Sequence, residues 1–292
     1  MSDWTPDTLP WHRFDRSLVE ADLTEVVGGL ALVESRADLY GDYLQRVLSW
    51  RFAMHPTWSA QIALWTAEED QHGTALRRWF QLARPDVDVD AALTRYRRDV
   101  PYHDDDTTLS VRGSVEHELV CRCVIEALAT TLYQALAARA REPMLQLIFK
   151  RLAADEARHY RFFFDLLREE RRAHGQDLAG SVVAMLRRLR ALDDDQIMRA
   201  SHVASQPADA AYDAAATRGR LLPRVYGSYS EVQLESLARL LGRIVGVDQR
   251  RATRMLGAAA GAFLRGRSAL LRAMTPVDFG GGVPSYSSWQ AA

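Results

Sequence analysis

Along most of this chain apolar residues return every three or four positions, the spacing that gives a helix one buried face. Leu18, Leu23, Val26, Val27, Leu30, Val33, Ala37, Tyr40, Leu44 and Val47 predict one long helix that ends near Trp50. His55-Pro56-Thr57 interrupts the pattern, with Thr57 as the N-cap of a second helix from Trp58 to about Leu82. Arg84-Pro85-Asp86 closes it, a short helix is expected over Val89 to Arg98, and Pro101 to Thr108 reads as a loop. Ser110 to about Arg141 predicts a third long helix, and Pro143, at a first turn, opens a fourth that runs to about His174. Beyond Gly175, helices are expected at 178–192, 195–204, 207–218, 230–244 and 248–273, with a break at Pro223 and Gly227. The expected architecture is all-α. One domain, 1–292, contains an extended N-terminal segment (1–16), an antiparallel four-helix core (17–174), additional C-terminal helices (175–274) and a flexible tail (275–292).

Several polar residues interrupt the apolar stripes. Glu34 lies among Leu30, Val33 and Ala37, and Glu126 among Val124, Ile125 and Leu128. Glu69 precedes His72 by three residues, and Glu156 precedes His159 by three, so each pair leaves its helix from one face. A carboxylate in an apolar face must be paired, protonated or metal-bound, because burying it bare is prohibitive. Glu34, Glu69, His72, Glu126, Glu156 and His159 are therefore the candidate metal ligands, with Glu118, two turns before Glu126, as the substitute if the third helix has another register. Glu68 and Asp155, directly before the paired glutamates, are candidates to accept the outer N–H of a metal-bound imidazole. Asp155 serves either a histidine of the opposite pair or a simpler acceptor role. Asp104-Asp105-Asp106 reads as a solvated loop.

Composition removes some classes of function. A formal net charge of −1 argues against a nucleic-acid binder. No run of 18 apolar residues and no basic-then-apolar leader occur. Cys121 and Cys123, two apart on a helix, point to different sides and form no disulfide framework, so a reduced, cytoplasmic protein without a membrane span is expected. Lys150 is the only lysine among 37 basic residues, and the arginines suit an acidic partner.

The order Glu, Glu-x-x-His, Glu, Glu-x-x-His resembles that of di-iron carboxylate proteins of the ferritin-like superfamily. Trp65-Thr66-Ala67-Glu68-Glu69-Asp70-Gln71-His72-Gly73 resembles the W-T-A-E-E-N-R-H-G segment of plant-type stearoyl acyl-carrier-protein desaturases, and Ala153-Ala154-Asp155-Glu156-Ala157-Arg158-His159 resembles their A-A-D-E-K-R-H. Trp4-x-Pro6-x-x-Leu9-Pro10 is similar to that family's N-terminal W-x-P-x-x-x-L-P, one residue shorter. The resemblance spans residues 1 to about 170. It implies a ferritin-like bundle holding two iron ions, with Glu34 and Glu126 terminal, Glu69 and Glu156 bridging, and His72 and His159 as nitrogen ligands. It also implies O2 as co-substrate, electrons from a ferredoxin-type donor through Trp4 and Asp155, and a homodimer. The family's threonine implicated in oxygen handling has its counterpart in Thr130, although a hydroxyl bonded back to its own helix carbonyl is the competing reading. Gln71 replaces an arginine and Tyr160 a glutamate of the family pattern.

The activity so implied is desaturation of a fatty acyl chain carried by acyl carrier protein. Arg77, Arg78, Arg168, Arg171 and Arg172 are candidates for docking the acidic carrier. Alternatives are a hydroxylase or N-oxygenase on a carrier-bound or free substrate, and an iron-storage or radical-generating subunit, for which Tyr40, Tyr133 or Tyr160 would hold the radical. A purely structural helical dimer is the rival without chemistry.

Overall fold

The computed structural model describes residues 3–100, 107–190 and 195–247, together with 257, 258, 262 and 266. Among these residues the regular structure is helical and includes no strand. The longer helices are α1 (Ala21–Glu34), α2 (Ala37–Leu48), α3 (Trp58–Ala83), α4 (Val89–Asp99), α5 (Val115–Arg139), α6 (Pro143–His174), α7 (Leu178–Arg190), α8 (Asp195–Ser205), α9 (Ala214–Tyr226) and α10 (Glu231–Ile244). Before them, Pro6–Thr8, Trp11–Arg13 and Arg16–Leu18 form single 3-10 turns, so the N-terminal segment is less extended than its prolines suggest.

Helices α1, α3, α5 and α6 form a four-helix bundle of the ferritin-like class. Gly28 meets Phe80 and Gly73 meets Ser35, so α1 and α3 run antiparallel. Trp58 Nε1 donates to Glu169 at 2.9 Å near one end of the α3–α6 contact, and Trp79 Nε1 donates to Glu142 at 2.7 Å near the other, which makes that pair antiparallel too. Glu142 also caps α6, accepting the backbone N–H groups of Met144 and Leu145, where a carboxylate favours the positive end of the helix dipole. The short turn between α5 and α6 makes them antiparallel as well. Since α3 and α5 both oppose α6, they are parallel to each other, which differs from a simple up-and-down order. The connection from Arg84 to Ser114, with α4 inside it, supplies the crossover.

The apolar core has two halves. One contains Leu23, Val27, Leu76, Trp79, Leu136, Ile148 and Phe149. The other contains Leu44, Trp58, Ile62, Leu119, Val124, Phe163 and Leu167. Along α3 and α6 the stretch between the halves carries Glu69 and His72, and Asp155, Glu156 and His159. Helices α8 and α9 cover α1, and α7 and α10 cover α5. Tyr160, standing where the family pattern has glutamate, donates from Oη to the Leu240 carbonyl at 2.7 Å and ties α10 to the bundle. Helix α5 alone among the described helices is long and apolar enough to cross a membrane; 72% of its most apolar window is buried in the protein, as a core helix requires.

The expected single helix from 17 to 50 is broken into α1 and α2. Ser35 Oγ donates to the Ala31 carbonyl at 2.6 Å, Arg36 leaves the helical region at φ −118°, and the freed Ser35 carbonyl accepts from Arg97 at 2.7 Å. The apolar spacing stays in phase through the break, so periodicity could not reveal it. Thr57 precedes α3 without a side-chain cap, having itself helical angles. The helix expected at 207–218 instead starts at Ala214, where Asp213 caps it, and runs through Pro223 to Tyr226. Burying Leu221 and Leu222 at roughly 1.5–3 kcal/mol each offsets the ~3 kcal/mol cost of an internal proline. The helix expected at 248–273 lies outside the described residues apart from the four named, and the tail from 275 lies outside them entirely, as does Asp104-Asp105-Asp106.

The break depends on a bare backbone at Gly73, where an added Cβ would stand 2.7 Å from Ser35 Oγ and 2.8 Å from its backbone nitrogen. Gly73→Ala is expected to destabilise the fold by about 1–3 kcal/mol through overpacking, read as a lower urea midpoint at unchanged slope. An unchanged midpoint would show that the α1–α2 turn yields without cost.

Candidate metal centre

Helix spacing sends the two Glu-x-x-His pairs toward each other from α3 and α6, and α1 and α5 add one carboxylate each. Ligand atoms of Glu34, Glu69, His72 and Glu156 lie within 4.8 Å of one another, and so do those of Glu69, Glu126, Glu156 and His159. Glu69 and Glu156 belong to both sets. Glu69 directs Oε1 to His159 Nδ1 at 2.8 Å and Oε2 to His72 Nδ1 at 3.7 Å. Glu156 directs Oε1 to His72 Nδ1 at 3.3 Å and Oε2 to His159 Nδ1 at 3.5 Å. Each shared carboxylate thus offers one oxygen to each imidazole. Glu34 is confined to the first set and Glu126 to the second.

The outer faces of the imidazoles are held crosswise. His72 Nε2 meets Asp155 Oδ2 at 3.2 Å, and His159 Nε2 meets Glu68 Oε2 at 2.8 Å. The residue before each paired glutamate therefore serves the histidine of the other helix. These contacts put the ring proton on Nε2 and turn the Nδ1 lone pair inward. Trp4 Nε1 donates to the same Asp155 oxygen at 3.0 Å, and its ring lies parallel to His72 at 6.2 Å between centroids. Arg158 approaches Asp155 at 2.7 Å and Glu68 at 3.5 Å, joining the two outer carboxylates.

Glu69 Oε1, Glu156 Oε1 and both Nδ1 atoms are buried without an aligned hydrogen bond, despite lying so close together. A buried polar atom left unsatisfied costs about 1–3 kcal/mol. Four such atoms converging on the same space, all able to donate lone pairs, fit a pair of divalent cations. Four carboxylates balance their charge. Without cations the carboxylates strain one another. Burial, then Glu69 and Glu156, push Glu34 well above the usual carboxylate range; burial, then Glu156 and Glu69, do the same to Glu126. Burial alone would depress the imidazoles, but Asp155, Glu156 and Glu69 raise His72, and Glu156, Glu68 and Glu69 raise His159. The mixed carboxylate and imidazole donor set suits iron or manganese.

The structure settles other positions. Glu118 points away, accepting from Tyr43 Oη at 2.8 Å and Ser110 Oγ at 2.7 Å, so Glu126 is the residue at the cluster. Thr130 Oγ1 donates back to the Glu126 carbonyl at 2.7 Å. Tyr133, two turns after Glu126 on the same face, donates from Oη to Glu34, a contact its i+7 spacing signalled but did not specify. Tyr40 has the Arg122 guanidinium over its ring at 5.8 Å, and Tyr160 is turned to Leu240. Arg171 is not on a docking rim: it bonds Glu116 at 2.7 Å, the Ile244 carbonyl at 2.8 Å and Ser181 at 3.0 Å, locking α5, α7 and α10 to α6. Cys121 and Cys123 are buried and free.

The arrangement is that of a dinuclear carboxylate centre inside a four-helix bundle. The chain belongs to the fatty acid desaturase family, whose profile its residues 39–199 match. Proteins from two strains of Mycobacterium tuberculosis, CDC 1551 / Oshkosh and ATCC 25618 / H37Rv, are each 30% identical to it over 174 residues, 56% of this chain and 54% of theirs. Both are named "Putative acyl-[acyl-carrier-protein] desaturase DesA2". The chain thus aligns with about half the length of the curated relatives it matches. Glu34 and Trp4 precede the matched family segment, so their place at the site rests on geometry.

Glu126→Gln is expected to lower metal bound per chain in an anaerobic ferrous or cobaltous titration, whereas Glu118→Gln leaves it unchanged; equal loss in both would assign the ligand wrongly. Asp155→Asn should weaken metal binding by about 10–100-fold while the fold persists, because His72 loses the anion that orients it.

Proposed function

We propose that this chain is an O2-dependent di-iron desaturase that removes two hydrogens from a fatty acyl chain borne by acyl carrier protein and leaves a cis double bond. The sharing of Glu69 and Glu156 between two ligand sets carries the dinuclear part of this reading. Family membership and the names of the relatives support the substrate. When bound, the two iron ions would supply activation of O2 toward an unactivated C–H bond. Glu34, Glu69, Glu126 and Glu156 would hold them through oxygen and His72 and His159 through nitrogen, Glu69 and Glu156 being common to both groups of ligand atoms.

The remaining residues position and insulate. Asp155 and Glu68 hold the imidazoles with Nδ1 inward. Tyr133 fixes the Glu34 carboxylate through its hydroxyl proton. The apolar halves of the core on either side keep bulk water from the reacting groups. Electrons from a ferredoxin-type donor would enter by Trp4, whose indole N–H reaches Asp155 and, through that carboxylate, His72. Arg77, Arg78, Arg168 and Arg172 are the remaining candidates for docking an acidic carrier, which would compete with Asp90 for Arg77, Asp7 for Arg78 and Asp165 for Arg168. A cytoplasmic homodimer completes the proposal.

Iron-loaded protein incubated with a reductant, O2 and a panel of acyl carrier proteins is expected to give a product lighter by two hydrogens, detected by intact mass. A product heavier by one oxygen would replace desaturation by hydroxylation or N-oxygenation. Iron-dependent turnover absent across the whole panel would overturn the carrier-bound substrate.

A further inference from the structure

Glu34 and Glu126, the carboxylates confined to one ligand set each, are built differently. Glu34 accepts a hydrogen bond at Oε1 from Tyr133 Oη, which ties the end of α1 to α5. The hydroxyl one turn beyond Glu126, that of Thr130, goes to the Glu126 backbone carbonyl, and among the described residues no hydroxyl donates to the Glu126 carboxylate. The two sides also differ in access. Glu34 is half-buried, whereas Glu126 is 2% exposed and His72 and His159 are buried, so the partly accessible edge of the cluster lies at Glu34.

Tyr133 cannot follow a moving carboxylate. Its side chain is buried and its ring stacks on Phe149 at 5.9 Å between centroids, in an interior packed too closely for a ring to shift freely. The hydroxyl proton neutralises part of the charge on Oε1 and leaves the other oxygen of Glu34 as the stronger metal donor. Chelating one ion through both oxygens would draw Oε1 away from the phenol and break a hydrogen bond to a charged group. We propose that Tyr133 is a positioning residue that keeps Glu34 a one-oxygen ligand, and so leaves the ion held with His72 an open place for one small ligand, O2 in turnover or an azide-sized anion in its stead. Glu126, with no such donor, can close on the other ion with both oxygens.

This inference rests on the metal-centre reading and assigns the two ions different tasks within it. If the hydroxyl served only to satisfy a buried carboxylate, its removal would lower stability and leave the coordination of both ions as it was. If it limits Glu34 to one oxygen, its removal lets the carboxylate swing onto the ion, fills the open place and excludes the small ligand. Tyr133→Phe separates these outcomes, because it deletes the hydroxyl and keeps the ring against Phe149.

The test loads the full-length chain anaerobically with cobaltous ion and reads its visible absorption, whose intensity falls as coordination number rises. Wild type and Tyr133→Phe are both expected to bind two ions per chain, with the weaker absorption in the variant. Titrated with azide, wild type should bind one anion per chain, and Tyr133→Phe should bind it about tenfold more weakly, the scale of one hydrogen bond to a charged group. Tyr160→Phe, which loses a buried hydroxyl bonded to the Leu240 carbonyl instead, should keep the wild-type spectrum and azide affinity. Two ions bound with a wild-type spectrum and azide affinity in Tyr133→Phe would overturn the role of the tyrosine alone, as would two equal azide sites, or none, in wild type. Failure of the wild-type chain to bind two ions would overturn the metal-centre reading and this inference with it.

Discussion

Four carboxylates and two imidazole nitrogens are brought to one place between two apolar halves of a helical bundle, and their mutual repulsion governs how the surroundings must be built. The helices cannot drift apart to relieve it. Trp58 and Trp79 fasten α3 to carboxylates on or capping α6 on both sides of the cluster. The turn at Ser35 ends α1 at the residue that supplies Glu34. Stapled ends and a strained middle make the polar layer a preformed site whose protein groups need little rearrangement to receive cations, and this preorganisation is what binding and catalysis both require.

Much of this was legible in the amino-acid order because helix geometry is rigid. A spacing of three on a helix fixes that Glu69 and His72, or Glu156 and His159, share a face, whatever surrounds them. The long helices therefore disclosed which residues converge in the cluster, with α5 ambiguous only between Glu118 and Glu126. The break at Ser35–Arg36 was not legible. Apolar residues continue in phase across it, and its causes are distant: the bare face of Gly73, and Arg97 reaching the Ser35 carbonyl. The parallel relation of α3 and α5 was hidden for a similar reason, since the connection through α4 declares its length but not its path.

The outer contacts show the same division. Glu68 and Asp155 were visible as carboxylates beside the ligand positions, but their crosswise service to the opposite histidines depends on how α3 and α6 face each other. Arg158, between these two carboxylates, occupies a motif position whose role emerges only once both helices are placed.

The crosswise imidazole contacts relate the two halves of the centre by an approximate twofold axis, and the rest of the chain breaks that symmetry. On the His72 side, Trp4 stacks on the ring and donates to its carboxylate partner. On the His159 side, Trp65 meets the ring edge-on at 6.5 Å. The Glu34 carboxylate is held by a tyrosine, whereas the hydroxyl of Thr130 goes to the backbone carbonyl of Glu126 and not to its carboxylate. Two chemically identical ions entering this site would therefore occupy inequivalent positions with different affinities and different redox environments. A singly loaded protein would be one preferred isomer rather than an even mixture, and the N-terminal segment, through Trp4, would tune only one of the two ions.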